Sequence, residues 1–363
     1  MPKKKILFIV HHRLQRSPGQ RFRFEQYLDA LREDGFEVEI SNILSEKDDR
    51  IFYSSGNYWG KFRIMIQSFF HRMADVQRCK QFDVVFVYRE AFMLGTILFE
   101  GLFAQSSAKL VFDFDDSIWI NDTSEGNKNL SWLKNPDKTR SIIKLADTVI
   151  VGNEYLADYA RQFNPRTVVI PTTIDTSYHK PLHEKMATET VFIGWTGTST
   201  TLRHFIAIEP VLIRLKTKYG DRLRFKLINN AQYHNDALCL ETTPWTLSRE
   251  IEDLMDIDIG IMPLPDDQWA KGKCGFKGLQ YMALEISTVM SPVGVNTNII
   301  QHGENGFLAN SDEEWFQVLS QLIDSTELRQ SIGKNGRQTI IDKYSVESYK
   351  ERYVSLFNSL IDK

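Results

Sequence analysis

A loop rich in lysine and glycine, in the second half of the chain, has the residues of an anion-binding site. The segment 269–285, WAKGKCGFKGLQYMALE, places Lys271, Lys273 and Lys277 among three glycines and then changes to good helix formers. Cations directly before a helix are unfavourable, because the helix dipole is positive at its N-terminus, unless an anion is also bound. The loop therefore predicts a diphosphate site, and solvated surface lysines are the alternative.

A second loop combines glycine with hydroxyl groups. In the segment 191–205, VFIGWTGTSTTLRHF, Gly197 and the hydroxyl residues 198–201 stand between an apolar run and a long amphipathic helix pattern over 202–219. Backbone N–H groups and hydroxyls at a helix start can receive a phosphate. The motif is neither a P-loop nor a GxGxxG, and a Thr or Ser that only caps the helix explains it equally well.

A third loop, after the first apolar run, carries arginines. Ser17, Pro18 and Gly19 break the chain before a single predicted helix of about 14 residues. Arg21 and Arg23 fall in the first turn of that helix, where cations are disfavoured unless an anion is present. We expect either an anion site at Gly19, Arg21 and Arg23 or ordinary surface arginines.

A run of carboxylates ends another predicted strand. The segment 111–119, VFDFDDSIW, contains Asp113, Asp115 and Asp116. Its Asp-x-Asp is similar to the metal-holding motif of one class of sugar-transferring enzymes, and carboxylates suit divalent ions. Enzymes of that class form one compact unit, whereas this chain predicts two. The alternative is that one aspartate caps a helix and the others face water.

The segment 58–80 predicts an amphipathic helix with basic residues at 61, 63, 72, 78 and 80. Its apolar residues at helical spacing are Phe62, Met65, Ile66, Phe69, Phe70, Met73 and Val76. Basic aromatic helices of this kind can lie in the headgroup layer of an anionic membrane. The alternative is a helix whose apolar stripe packs on the first sheet.

Composition limits the class of protein. The chain has 363 residues, 44 basic and 47 acidic side chains and a net charge of −3, so the whole chain is no binder of nucleic acid and any basic site is local. Three well-separated cysteines, no apolar run long enough to span a membrane and no signal-peptide pattern indicate a cytoplasmic protein.

Short apolar runs alternate with helix patterns along the whole chain, which is typical of parallel sheets covered by helices. The first series of predicted strands is 5–10, 38–43, 83–88, 110–114, 148–151 and 167–170. The second series is 191–194, 223–229, 256–262, 288–291 and 306–309. The segment 171–185, with prolines and polar residues, suits a hinge between them. The pattern predicts two doubly wound α/β units, with ligands beyond the carboxyl ends of the strands.

Taken together, these segments resemble the retaining glycosyltransferases of the GT-B fold, specifically glycosyltransferase family 4, over nearly the whole chain. The likeness is strongest over 258–309, in the segments YMA (281–283), SPVG (291–294) and ENGFL (304–308). The segments VFDFDDSIW and VIPTTID (169–175) are similar to the first domain and hinge of the same family. In that family two glutamates are separated by seven residues, and Gly272 and Gln280 stand at those places here.

The resemblance implies two Rossmann-like parallel-sheet domains that face a central cleft. One is an acceptor-side domain over 1–175, joined by a C-terminal crossover helix over 345–363, and the other is a nucleotide-sugar-binding domain over 186–344. It further implies transfer of one sugar from a nucleoside-diphosphate sugar to a glycan or lipid-linked acceptor, with retention. The setting would be polysaccharide or lipopolysaccharide synthesis at the inner face of the cell membrane, without a metal or other cofactor.

The resemblance also implies roles for individual residues. The catalytic candidates are Asp115, Asp116 and Lys277. The donor-binding candidates are Gly197, Thr198, Ser199, Arg203, Lys273, Gly275, Phe276, Lys277 and Gln280. Gly19, Arg21 and Arg23 are candidates for the acceptor side or a phosphate. Gln280 would hydrogen-bond the donor ribose in place of the family's second glutamate.

Two other functions remain open at this point. One is a nucleotide-sugar epimerase of the same two-domain architecture, against which the absence of carboxylates at 272 and 280 counts. The other is a non-catalytic subunit that has kept the GT-B fold, which the loss of both family glutamates would permit.

Overall fold

A computed structural model of the chain describes residues 4–120, 135, 137–184, 189–231 and 233–362. Residue contacts divide the chain into two compact units. The first comprises Met1–Thr172 and Tyr349–Lys363, and the second Thr173–Ser348. Lys185, the last residue of the predicted hinge, lies outside the described residues.

The first unit is built on six parallel strands in the order β2-β1-β3-β4-β5-β6. The strands are β1 (Lys5–His12), β2 (Glu37–Leu44), β3 (Val84–Tyr88), β4 (Lys109–Phe114), β5 (Thr148–Val151) and β6 (Thr167–Val169). All five residues of β3 are buried, as expected for an inner strand covered on both faces. The register pairs Phe8 with Phe86 and Phe86 with Val111.

Helices connect these strands. They are α1 (Pro18–Arg23), α2 (Leu28–Glu33), α3 (Glu46–Tyr53), α4 (Tyr58–Arg78), α5 (Leu98–Ala104), α6 (Lys138–Leu145) and α7 (Glu154–Arg161). The single helix predicted after Gly19 is wrong. Phe24 leaves helical conformation, with φ −127°, and stacks on Phe8 at 5.0 Å between ring centroids, so α1 and α2 are separate.

The second unit contains another six-stranded parallel sheet, in the order β12-β11-β10-β7-β8-β9. Its strands are β7 (Val191–Thr196), β8 (Leu223–Ile228), β9 (Glu241–Thr243), β10 (Ile259–Met262), β11 (Ser287–Met290) and β12 (Phe307–Leu308). Strand β9 was not predicted, since it is a short, mostly exposed strand of Glu and Thr without an apolar signal. It pairs with β8 at the sheet edge, with Thr242 opposite Leu227.

The remaining helices are α8 (Leu202–Ala207), α9 (Glu209–Tyr219), α10 (Glu250–Met255), α11 (Gln268–Lys271), α12 (Phe276–Ala283), α13 (Asn296–Ile299), α14 (Asp312–Asp324), α15 (Thr326–Lys343) and α16 (Val346–Ile361). The long helix predicted over 202–219 is divided at Ile208, and Pro210 occupies the first turn of α9, where its missing N–H costs nothing. Residues of α16 from Tyr349 onward belong to the first unit, where Tyr353 stacks on Tyr27 with ring centroids 4.2 Å apart.

The observed architecture confirms the predicted fold class, two α/β units each with a parallel sheet. Within each unit the loops that follow the strands meet at the carboxyl edge of the sheet. No helix in the described ranges is long and apolar enough to cross a bilayer.

Candidate functional site

The glycine loop after β7 forms a tight turn against Trp195. A Cβ added to Gly197 would lie 2.3 Å from the Trp195 ring, so no larger residue fits without displacing that ring. The backbone N–H of Gly197 donates to the Ile228 carbonyl at 3.2 Å, which ties the turn to the end of β8. The close approach explains why glycine stands at this position.

The hydroxyls of the same loop bond mainly to one another. The Thr201 hydroxyl accepts from the backbone N–H of Thr198 and donates to the Thr198 carbonyl, both at 3.1 Å. The Thr198 and Thr200 hydroxyls lie 2.8 Å apart. These contacts form a capping box at the start of the helical segment and fit the simple capping interpretation. Thr198 and Ser199 are exposed, so their polar groups also face solvent.

Each of the two short helices of the lysine loop begins at an N-cap residue. Asp267 accepts a hydrogen bond from the Ala270 N–H at 2.7 Å and so begins α11. Gly275 precedes α12 in the left-handed region, with φ +71°, and an added Cβ would lie 2.3 Å from Ile299. Glycine is therefore required at 275 for both conformation and space. Phe276 is half-buried at the first position of α12.

The three lysines of this loop have different surroundings. Lys271 forms an ion pair with Asp266, with Nζ 3.0 Å from the carboxylate oxygen. Lys273 Nζ lies 5.6 Å from the centre of the Trp269 ring, and Lys277 Nζ lies 5.5 Å from the centre of the Trp195 ring. Because Trp195 belongs to β7, Lys277 joins the start of α12 to the end of the strand that carries the glycine loop.

His204, on α8, lies in the positive electrostatic field of the two loops. Its side chain is 5% exposed, and among the described residues no group hydrogen-bonds its Nε2. Burial, followed by repulsion from Arg203, Lys277 and Lys273, lowers the pKa of His204 to about 4. The imidazole is therefore neutral near pH 7, in a positive electrostatic field to which three cations contribute. The sequence pattern does not single out His204, since a lone histidine on a helix carries no functional signal.

Gln280 lies in the interior, where its amide contacts a buried histidine. Its side chain is 2% exposed, and its Nε2 lies 3.3 Å from His179 Nε2. His179 is 1% exposed, and Glu250 Oε2 lies 3.7 Å from the same ring nitrogen. Arg337 donates to the His179 carbonyl at 3.0 Å. This buried network differs from the expected arrangement, in which the Gln280 amide is open to a ribose.

A cavity opens beside the glycine loop at the carboxyl ends of β8 and β9. It has a volume of about 470 Å³ and is lined by Asn229, Asn230, Ala231, Tyr233, His234, Thr242 and Pro244. The Asn229 amide donates to the Gly197 carbonyl at 2.8 Å, so the cavity wall and the glycine loop are directly connected. Amides, a phenol and an imidazole give it several hydrogen-bonding groups.

Arg23 forms a buried ion pair. Its guanidinium contacts Asp113 at 2.7 and 3.2 Å and donates to the Ile170 carbonyl, with both side chains almost fully buried. A buried guanidinium needs such partners. The prediction that Arg23 faces a phosphate or the acceptor is therefore wrong, because its guanidinium pairs with Asp113 and anchors α1 to β4. Arg21 is half-exposed, and its guanidinium lies 4.9 Å from the centre of the Phe22 ring.

Asp115 and Asp116 share an arginine that the sequence analysis missed. Arg89, in the loop after β3, contacts Asp115 Oδ1 at 2.6 and 2.9 Å and Asp116 Oδ2 at 2.5 Å. The Tyr88 hydroxyl donates to Asp115 at 2.8 Å. Burial tends to raise the pKa of Asp115, but Arg89 and Arg23 hold it below its ordinary value. A Cβ on Gly19 would lie 2.1 Å from the Tyr88 hydroxyl, so the first loop contacts this cluster.

The backbone of Arg89 supports a special role for this cluster. Its φ of +61° is unusual for a residue with a side chain, and such conformations concentrate at functional sites. Asp113 pairs with Arg23, and Asp115 and Asp116 pair with Arg89, so the three aspartates are not simple solvated groups. In the described part of the chain no group of three His, Cys, Asp or Glu side chains is placed to hold a metal.

The structure thus brings together Gly197, Thr198, Ser199, Arg203, Lys273, Gly275, Phe276 and Lys277 at one edge of the second sheet. It places Gly19, Asp115 and Asp116 together at the corresponding edge of the first sheet. Within their own units, Gln280 and Arg23 point into the interior.

The two six-stranded parallel sheets, with their covering helices, match the structures of GT-B glycosyltransferases. No protein-family model matches the chain, and no curated protein sequence does either. Solved structures do match. A glycosyltransferase from Rickettsia africae has a TM-score of 0.69 at 14% identity, over 100% of both chains. Sucrose-phosphate synthase from Thermosynechococcus elongatus has a TM-score of 0.68 at 13% identity, over 99% of both.

A third similar structure was solved with ligands. Anabaena HepE, in complex with UDP and glucose, has a TM-score of 0.65 at 13% identity, over 98% of this chain and 100% of that one. At these identities the likeness establishes the fold, and the function has to be argued from the site.

Proposed function

We propose that the protein is a glycosyltransferase that moves one sugar from a nucleoside-diphosphate sugar to a glycan or lipid-linked acceptor, with retention of configuration. The observation that carries this proposal is the position of Lys277 against Trp195 beside the glycine loop, where Lys273 and Arg203 add positive charge around His204. A diphosphate is the group that such a cluster suits, because it carries two or more negative charges in a small volume.

The chemistry assigned to this cluster is charge stabilisation. When the bond between the anomeric carbon and the diphosphate oxygen breaks, its electron pair leaves with the nucleoside diphosphate. Lys277, fixed on the first turn of α12, would neutralise that developing charge, and Lys273 would assist it. The acceptor hydroxyl gives its proton to the departing diphosphate oxygen as the new glycosidic bond forms. The proposal needs no metal or other cofactor, because lysines supply the positive charge.

The Asn229 cavity supports binding of the nucleoside. It adjoins the glycine loop through the hydrogen bond from Asn229 to Gly197, and its volume of about 470 Å³ lies within the range of small-molecule sites. UDP-glucose is the first donor candidate to test, and UDP is the first nucleotide to test for binding, since HepE was solved with both. Gln280 would reach a ribose only if its contact with His179 changed.

The first unit is assigned to the acceptor. Arg89 holds Asp115 and Asp116 at the carboxyl edge of its sheet, where carboxylates can orient sugar hydroxyls. Gly19 and Arg21 border the same edge of this unit. A glycan or lipid-linked acceptor used in polysaccharide or lipopolysaccharide assembly, at the inner face of the cell membrane, is consistent with this arrangement.

One assay tests the proposal. The protein is incubated with a panel of nucleotide sugars, and release of free nucleoside diphosphate is followed by chromatography. Slow hydrolysis of a single donor is expected. Epimerised donor with an intact diphosphate would instead indicate an epimerase, and binding without any turnover, with or without added acceptors, would indicate a non-catalytic subunit. If no donor binds or reacts, the proposal is wrong.

A further inference from the structure

Helix α4 presents a polar face to the protein and an apolar face to solvent. Its buried residues are Lys61, Ile64, Ser68, Arg72 and Asp75, of which only Ile64 is apolar. The seven residues of the apolar stripe, from Phe62 to Val76, are all at least partly exposed. The interpretation that this stripe packs on the first sheet is therefore wrong, although the Phe69 ring does contact Phe99 at 5.4 Å.

A buried hydrogen-bond network fixes this orientation. Arg72 is 0% exposed and donates to the Val10 carbonyl at 2.6 Å and the Ala91 carbonyl at 2.8 Å. It also pairs with Asp75 at 2.8 Å, and Asp75 accepts from the Ser41 hydroxyl at 2.6 Å. Rotating α4 to bury its apolar stripe would expose or break these contacts and leave buried polar groups unsatisfied. The outward aromatic face is thus a fixed feature of the first unit.

The outward face concentrates exposed apolar side chains. Six of the fourteen large apolar side chains that are exposed in the described residues lie on α4: Tyr58, Trp59, Phe62, Ile66, Phe69 and Phe70. Trp59 is 84% exposed and Phe70 is 67% exposed. The stripe runs along one helix for about 20 Å, at 1.5 Å per residue. A patch of this kind is a sign of an interaction surface.

Charge indicates what covers this surface. Asp75 is the only acidic residue between 58 and 80, and it is buried, so α4 offers no exposed carboxylate. Arg63 and Lys80 are exposed on the same segment, and Arg63 pairs with Asp48 at its edge. Negative phospholipid headgroups are attracted to such a surface, and Trp, Tyr and Phe favour the boundary between headgroups and acyl chains.

We propose that α4 docks this protein on an anionic lipid surface, with Trp59, Phe62, Ile66 and Phe70 inserted below the headgroups. The narrow shape of the stripe fits this use, since a helix lying in the interface buries one long face while polar residues such as Gln67 and Gln77 stay in the headgroup layer. Docking depends on the first unit alone. It stands independently of the donor chemistry proposed for the second unit.

Co-sedimentation with lipid vesicles tests the proposal on the full chain. Vesicles of phosphatidylglycerol and phosphatidylcholine are compared with vesicles of phosphatidylcholine alone, without any donor or acceptor. The wild-type protein is expected to bind the anionic vesicles more strongly. The double variant Trp59→Ser, Phe70→Ser is expected to bind them at least about tenfold more weakly than the wild type, because membrane affinity scales with the inserted apolar area.

Matched controls separate docking from misfolding. The double variant Ile206→Ser, Ile213→Ser removes two apolar side chains that are 40% and 37% exposed on α8 and α9, and it should bind like the wild type. Trp59→Phe should retain most binding, and all variants should keep the wild-type circular dichroism spectrum. Wild-type protein that ignores anionic vesicles, equal losses in both double variants, or a wild-type dimer that the α4 variant abolishes would each overturn the proposal.

Discussion

Individual residues of the lysine loop differ in what they can do, although the sequence shows three equivalent lysines. Lys271 is paired with Asp266, whereas Lys277 lies against Trp195 near the glycine loop. The same is true of the arginines of the first loop, since Arg23 is buried with Asp113 and Arg21 is half-exposed. Side-chain partners decide which charges face a ligand, and those of Lys277 and Arg23 come from distant segments.

Substitution of two lysines separates their roles. Lys277→Ala is expected to raise the Kd for UDP by about 10- to 100-fold, because a charged hydrogen bond to the diphosphate is lost. Lys271→Ala is the matched control and should change the Kd by less than about threefold, since its partner is Asp266. Isothermal titration calorimetry measures both. Equal small effects would contradict the assignment of Lys277 to the diphosphate.

Protonation of His204 makes the stability of the folded chain depend on pH. The pKa of His204 is lowered from 6.5 to about 4 in the folded chain, so the unfolded chain takes up a proton at higher pH than the folded chain does. Folding therefore costs nothing at His204 above pH 6.5. As the pH falls from 6.5 towards 4, the free energy of unfolding decreases, because the unfolded chain is protonated at this histidine and the folded chain is not.

The variant His204→Gln removes this dependence. We expect its free energy of unfolding to fall less steeply than that of the wild type between pH 6.5 and 4.5, by up to about 1.4 kcal/mol per pH unit. Urea denaturation at several pH values measures the two slopes. Identical slopes for His204→Gln and the wild type would refute the prediction.

Secondary-structure elements were predicted best where burial is complete. Strand β5 has the predicted bounds, and most other strands differ by one or two residues at their ends, because continuous apolar runs specify inner strands. Helix α4 was predicted as an element, but the hydrophobic pattern could not show which face lies inward. The buried Arg72 network overrides the usual rule that the apolar face packs on the core.

At the scale of the whole molecule, the two ends of the chain contribute to one core. Phe357 of α16 is 0% exposed and lies among Phe8, Phe36 and Phe86, with ring centroids 6.2 to 6.4 Å away. The last helix therefore completes the first unit, whereas the lysine and glycine loops belong to the second. Stability of the first unit and binding of a diphosphate should be separable.

The variant Phe357→Ala tests this separation. Loss of a buried phenyl ring should destabilise the first unit by about 3–5 kcal/mol. Under native conditions the Kd for UDP should stay within about twofold of the wild type, since the proposed diphosphate contacts come from the second unit. Chemical denaturation and calorimetry measure the two quantities. Ser355→Ala, at an exposed position of the same helix, should alter neither, and weaker UDP binding by Phe357→Ala would contradict the separation.

The fold class, the order of most strands and helices, and the segments that could meet an anion were predictable from the sequence. The reason is that apolar periodicity and glycine positions are local signals. Three contacts became visible in the folded chain: Lys277 meets Trp195, Arg89 holds Asp115 and Asp116, and Gln280 lies against His179.

These contacts join residues far apart along the chain, so the burial and charge of each side chain depend on neighbours that no local pattern specifies. The lysine and glycine segment 269–285 shows the division. Its composition indicated an anion site, and the fold selected which of its lysines is already paired with an aspartate and which lies beside the glycine loop.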